Sequence, residues 1–156
     1  MSEKKRRKNA VNKNLESGNP NKTEDSAKGL KAGGDITVNA GTLNIDTSDD
    51  ALHCAGTLTV KDGNITISTA DDGLHSDNYL VIDGGDIRVN KSYEGIEAAS
   101  ITVNDGTIHV TSSDDGFNAN GGSSGFGSFL GWGQTQSSTK SSDLPSLVIN
   151  GGTIYV

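Results

Sequence analysis

A motif of two acids, one small residue and a short apolar run recurs along this chain at nearly constant spacing. It reads Asp-Asp-Gly-Leu-His at 71–75, and related copies occupy residues 49–53, 93–97 and 114–118. The second acid of each copy lies at position 50, 72, 94 or 115, so the intervals are 22, 22 and 21 residues. A period of about 20–50 residues is typical of stacked repeats, in which each unit packs on its neighbours.

Three short runs with alternating apolar residues fill each repeat, as in residues 52–54, 58–60 and 65–67. This alternation predicts strands. Asn or Asp followed by Gly separates the second run from the third and supplies the positive φ of a tight corner. We expect Gly73 to make a corner in the acidic turn as well. The runs are too closely spaced for crossover helices. The sequence therefore predicts an all-β, right-handed parallel β-helix with three short strands and about 22 residues per coil.

The chain divides into three parts by composition. Residues 1–25 are polar and basic, which predicts a disordered tail. Residues 26–156 form a partial parallel β-helix domain, interrupted by a Gly/Ser-rich loop insertion at 121–146. The sequence stops within a repeat, which leaves an apolar ladder uncapped. We therefore expect the remaining coils of a larger domain, or a capping partner, at the C-terminal end.

Charge and composition exclude several classes of protein. Residues 32–156 hold four Lys/Arg and 16 Asp/Glu, an acidic balance that disfavours nucleic acid as a partner. No apolar run reaches the roughly 18 residues of a membrane span, and no signal peptide precedes the repeats. The single cysteine, Cys54, rules out an internal disulfide framework and is predicted to be a small core residue.

The acids of successive copies should stack about 4.8 Å apart. At an effective dielectric constant of about 20, each pair would repel by about 3.5 kcal/mol. Hydrogen bonds from the turn, protonation or a hard cation would offset this cost. Asp-Asp-Gly is also ordinary turn chemistry, but carboxylates in register are the ligands Ca²⁺ takes. The strongest pairing is 49–50 beneath 71–72. The predicted Ca²⁺ ligands are Asp49, Asp50, Asp71, Asp72, Glu94, Asp114 and Asp115.

A second set of side chains is predicted to contact substrate. His53, His75 and Glu97 share the outward column beside the acidic turn. Trp132 lies in the insertion, where an aromatic face offers a platform for a sugar ring. His53 over His75 is also compatible with a metal, although both serve equally well as polar surface residues and two histidines alone do not complete a site.

The ordered succession of motifs resembles a known family. Ser-Ala-Lys-Gly-Leu-Lys-Ala at 26–32, Asp-Asp-Gly-Leu-His-Ser at 71–76 and Asp-Asp-Gly-Phe-Asn-Ala at 114–119 are similar to those of the bacterial carbohydrate-binding domain-containing β-helix family. The resemblance implies a polysaccharide-lyase-like, calcium-binding β-helix on secreted or surface proteins. It further implies binding of plant-type polysaccharides, including acidic sugars, and an extracellular or cell-surface location.

Three functions remain open from the sequence. The leading one is calcium-dependent binding of plant or microbial cell-wall polysaccharide by a non-catalytic module. A calcium-assisted polysaccharide lyase would need a base, but the bases considered form no convergent polar cluster: Lys31, Lys61, Arg88, Lys91 and Lys140. A structural or adhesive surface solenoid without sugar specificity is the third.

Overall fold

The computed structural model of the protein describes residues 27–120 and 145–156. Within them the chain is all-β and forms a solenoid of about four turns, with roughly 22 residues per turn, so the predicted fold class is confirmed. The predictions for the tail at 1–25, for Trp132 and for nearly all of the insertion concern residues outside these ranges.

The described strands follow the predicted triplets closely. In chain order they are β1 (Leu30–Ala32), β2 (Ile36–Val38), β3 (Thr42–Ile45), β4 (Leu52–Cys54), β5 (Thr57–Val60), β6 (Asn64–Ile67), β7 (Asp72–Ile82), β8 (Asp86–Ser92), β9 (Glu94–Val103), β10 (Thr107–Ser112), β11 (Phe117–Ala119), β12 (Ser146–Ile149) and β13 (Thr153–Tyr155).

Equivalent strands of successive coils pair in parallel. Leu30 pairs with Leu52 and Leu52 with Leu74, so β1, β4 and β7 stack in the register of the repeat. Strands β3, β6, β8, β10 and β13 form a separate five-stranded sheet. Each coil therefore places the same motif position above its counterpart in the coil before.

The two long strands, β7 and β9, differ from the prediction of three short strands per coil. Each runs through two of the predicted strands, and the pairing between them shifts register between Ser76 and Tyr79. The first two coils turn at this corner with glycine, at 33–34 and at 56, whereas residues 77–78 and 99–100 contain none.

Inward residues form the core, in vertical ladders. Leu52, Leu74 and Ile96 are completely buried one above the other. Cys54 is buried beside this ladder, which confirms it as a core residue. The next residue in its column, Ser76, donates its hydroxyl hydrogen to the carbonyl of Gly56 at 2.7 Å, so the buried hydroxyl is satisfied.

Glycines serve two purposes in the coil. The predicted Asn/Asp-Gly corners are confirmed, with φ between 92° and 114° at Gly41, Gly63, Gly85, Gly106 and Gly152. The prediction for Gly73 is wrong: it lies inside β7 and has no positive φ. A Cβ at Gly73 would approach Val89 Cγ2 to 2.8 Å and the carbonyl of Gly95 more closely still. Gly73 is therefore required for the close approach of neighbouring coils, not for a corner.

Candidate functional site

Four aspartates from two successive coils lie together, and we call them the acidic column. They border the face formed by the stacked strands β1, β4, β7, β9 and β11, which we call the β4 face. Asp49 and Asp50 precede β4, and Asp71 and Asp72 stand at the start of β7. Backbone bonds hold the two turns in register, since the N–H of Asp71 donates to the carbonyl of Asp49 at 3.1 Å. All four residues are largely buried, and none of them is more than 8% exposed as a whole residue. Burial of carboxylates at this density requires compensating charge or hydrogen bonds.

Lys28 supplies part of that compensation. Its Nζ lies 3.1 Å from Asp49 Oδ1 and also contacts Asp50 Oδ2. Lys28 stands two residues before Leu30, as Asp50 stands two residues before Leu52, so it occupies the same column one coil earlier. Lys28 is not among the predicted site residues, although its spacing of 22 residues from Asp50 indicates the same column.

Burial and ion pairing have opposing effects on the pKa values of Lys28 and Asp50. Burial lowers the pKa of Lys28, but hydrogen bonds and charges from Asp50 and Asp49 outweigh it, and the net pKa is raised. The Lys28 ammonium therefore stays charged. For Asp50 the balance is reversed, because burial, together with the charge of Asp72, raises its pKa more than Lys28 and His75 lower it. One ammonium thus does not fully offset the burial of this carboxylate.

Two histidines continue the column outward. His53 Nδ1 lies 2.8 Å from Asp50 Oδ2, and the same contact recurs one coil later between His75 Nδ1 and Asp72 Oδ2 at 3.0 Å. Each His stands three residues after its Asp, so the strand geometry repeats with the coil. The imidazole rings lie 4.7 Å apart, centre to centre. The structure thereby joins residues that the sequence assigned to two separate sets, one for metal and one for substrate.

Two further carboxylates face these histidines. Glu97 Oε2 is 3.6 Å from His75 Nδ1, and burial, followed by the charge of Asp72, raises the pKa of Glu97 to about 8. Asp77 Oδ1 lies 3.8 Å from His53 Nε2 and 3.6 Å from His75 Nε2. Asp77 is outside the repeated motif, so sequence analysis gave no reason to select it.

Three overlapping groups in the described residues bring metal-ligating atoms within 4.8 Å of one another. One contains oxygen donors alone, and two include histidine. The residue sets are Asp49–Asp50–Asp71, Asp50–His53–His75 and Asp72–His75–Glu97.

Of the remaining predicted ligands, Asp114 and Asp115 are not in these groups, whereas Glu94 pairs in register with Asp72. Asp114 and Asp115 are exposed. A hydrogen bond to Asp114 is the main cause that raises the pKa of Tyr93, which takes the place of the first acid in its coil. Glu94 accepts a hydrogen bond on Oε1 from Asn118 Nδ2 at 3.0 Å. Asn118 and Tyr93 thus contribute polar contacts to the acids Glu94 and Asp114 of the later coils.

Comparison with known protein families identifies the family of this chain. The model of the carbohydrate-binding domain-containing protein family matches residues 7–73 and 72–116, which together span more than half of the chain. The chain belongs to this family. No curated protein and no solved structure matches it.

Membership in the carbohydrate-binding domain-containing family makes carbohydrate the supported class of ligand. The family description is that of a binding module, which agrees with a non-catalytic role. Within the described ranges, no helix is long and apolar enough to cross a membrane. The question that remains is how an acidic solenoid holds a sugar.

Proposed function

We propose that this domain is a non-catalytic module that binds an acidic polysaccharide of plant or microbial cell-wall type, with Ca²⁺ bridging protein and sugar. The observation that carries the proposal is the acidic column, four buried aspartates beside an outward-facing row of polar side chains in a carbohydrate-binding family. Polar and charged groups that converge at a surface are typical of a binding site.

Charge favours a bridging cation. The chain has a formal net charge of −7, and residues 32–156 contain 16 Asp/Glu but only four Lys/Arg. Such a body repels a uronate carboxylate unless positive charge stands between them. A divalent ion with open coordination positions supplies that charge and binds the sugar carboxylate directly.

The oxygen-only group is the proposed calcium site. Asp49, Asp50 and Asp71 each offer an oxygen, and the three oxygens lie within 4.8 Å of one another. Calcium–oxygen distances of about 2.4 Å allow oxygens on one ion to lie up to about 4.8 Å apart. Lys28 competes for Asp49 and Asp50, so binding of the ion requires the lysine to move or to share these carboxylates.

The sugar would lie along the β4 face next to this site. His53, His75 and Glu97 are partly exposed there and offer hydrogen-bond donors and acceptors at successive coils. Trp132 remains a proposed stacking residue. We also propose an extracellular or cell-surface location, where such polysaccharides occur.

A lyase activity finds less support. β-Elimination needs a neutral amine or another base near the uronate. Lys28 is the lysine at this site, and its raised pKa keeps it protonated. Its ion pairs with Asp49 and Asp50 fit a structural charge.

Calorimetric titration with oligogalacturonate tests the proposed function. We expect binding in the presence of Ca²⁺ and no measurable binding with excess chelator, because the bridging charge is removed. A neutral galactan of the same length serves as the control and should not bind. Equal binding of charged and neutral oligosaccharide, or binding that survives chelation, would contradict the proposal. Absorbance of the unsaturated product should stay flat throughout; an increase would indicate a lyase.

A further inference from the structure

The two histidines of the β4 face offer a ligand chemistry that calcium does not use. Calcium takes oxygen ligands, whereas imidazole nitrogen favours borderline metals such as Zn²⁺, Ni²⁺ and Cu²⁺. His53 and His75 both direct Nδ1, an atom that ligates such metals, at the acidic column. This pairing of nitrogen with carboxylate oxygen occurs on two successive coils, one directly above the other.

From this geometry we propose a transition-metal site in which Asp50, His53, Asp72 and His75 hold one divalent ion of the zinc class. The set supplies two nitrogens and two oxygens, a donor number and type typical of tetrahedral Zn²⁺. The site is separate in donor chemistry from the proposed calcium site, with which it shares Asp50, and it does not depend on sugar binding.

Three of the four donors already form one cluster, and Asp72 adjoins it through His75. Metal–ligand bonds of about 2.0–2.1 Å place tetrahedral ligands roughly 3.3–3.5 Å apart. His75 Nδ1 is 3.0 Å from Asp72 Oδ2 and 3.6 Å from Asp50 Oδ2. His53 Nδ1 is 2.8 Å from Asp50 Oδ2, and the donor atoms of Asp50, His53 and His75 all lie within 4.8 Å of one another. Binding of one ion would draw the four donors together to the separations of tetrahedral ligands.

Hydrogen bonding alone does not account for the arrangement around His75. Its Nδ1 lies within 3.6 Å of oxygens from Asp50, Asp72 and Glu97, which come from three successive coils. A ring nitrogen carries at most one proton, so it satisfies one of the three carboxylates. A divalent ion would offset much of the charge of these carboxylates.

The Nε2 atoms of His53 and His75 face a carboxylate, which is the partner that metal-binding histidines usually have. Ligating histidines usually direct their other ring nitrogen at a carboxylate, which fixes the tautomer. Asp77 Oδ1 faces the Nε2 atoms of both His53 and His75, at 3.8 and 3.6 Å. Asp77 is half-exposed, and its side chain has room to close these distances. One carboxylate thus serves both rings.

Zinc titration of the tag-free full chain tests the proposal. In competition with a chromogenic chelator, we expect one Zn²⁺ to bind per chain. Zinc affinity should fall by at least about tenfold in His53→Gln and in His75→Gln, because loss of a metal ligand weakens binding no less than loss of a residue that hydrogen-bonds to a ligand. His109→Gln is the matched control, since His109 lies on β10 stacked against Tyr155, and its zinc affinity should stay within about twofold.

Two further readouts keep the proposal falsifiable if one variant folds poorly. In ¹⁵N-edited histidine spectra, zinc should shift the Nδ1 signals of His53 and His75 and leave those of His109 in place. Asp77→Asn should weaken zinc by about tenfold without removing a ligand. Zinc affinity that is equal in wild type and both histidine variants, or shifts confined to His109, would overturn the site. Calcium-dependent oligogalacturonate binding, measured without zinc, distinguishes this failure from failure of the proposed function.

Discussion

Replacement of Lys28 by methionine is expected to lower the free energy of unfolding by about 3–5 kcal/mol, because removal of one partner leaves buried charges uncompensated. Lys28 bonds Asp49 and Asp50, and its side chain is only 19% exposed. Methionine preserves most of the apolar volume, so the loss measures the charge. Urea denaturation in the presence of chelator gives this free energy directly.

Two comparisons sharpen this test. Lys31→Met removes an exposed lysine three residues away and should change the free energy of unfolding by no more than about 0.5 kcal/mol. Lys28→Met combined with Asp50→Asn should recover part of the loss, since the second change removes a charge that the first left unpaired. If Lys28→Met is no less stable than Lys31→Met, the lysine is not the counter-charge of the column.

Replacement of Asp71 by asparagine is expected to weaken calcium about 100-fold, since the charge and number of carboxylate ligands set calcium affinity over several orders of magnitude. The same variant should be at least as stable as wild type without calcium, because one of four closely stacked buried carboxylates becomes neutral. Calcium titration and chelator-containing denaturation measure the two effects on one protein. Opposite signs in binding and stability are the signature of a site held ready for a cation.

The control for this variant is Asp62→Asn. Asp62 lies exposed at a corner, where its carboxylate accepts the N–H of Gly63, a bond that asparagine also makes. Calcium affinity and stability should both stay at wild-type values. A loss of stability in Asp71→Asn, with no change in calcium affinity, would mean that Asp71 is a structural residue of the turn.

The fold was predictable because each part of it follows from local pattern and repetition. A period of 22 residues fixes which strands pair, and the structure places Leu52 between Leu30 and Leu74 as that period requires. The positive-φ corners follow from Asn/Asp-Gly pairs, since few other residues adopt that conformation. Gly73 escaped the same reasoning because its constraint comes from a neighbouring coil rather than from its own backbone angles.

The site was predictable in position but not in its contacts. Stacking brought the predicted acids and histidines to one edge, yet their bonds depend on side-chain directions that are set by three coils together. Lys28 bonds to aspartates 21 and 22 residues later in the chain. Such an ion pair is found only by comparing oppositely charged residues at equivalent positions of successive coils. The equivalent positions before and after Asp77 are alanines, so the repeat does not predict an acid there, and the path of β7 brings Asp77 to the histidines.

The position of the ion tests the central claim most directly. A crystal grown with Ca²⁺ and oligogalacturonate, measured for anomalous scattering, should show an ion about 2.3–2.6 Å from carboxylate oxygens of Asp49, Asp50 and Asp71. A uronate carboxylate should complete its coordination, and Lys28 should have moved from at least one aspartate. Lys28 still bonded to both Asp49 and Asp50, with no ion between the turns and the sugar bound elsewhere, would contradict the account.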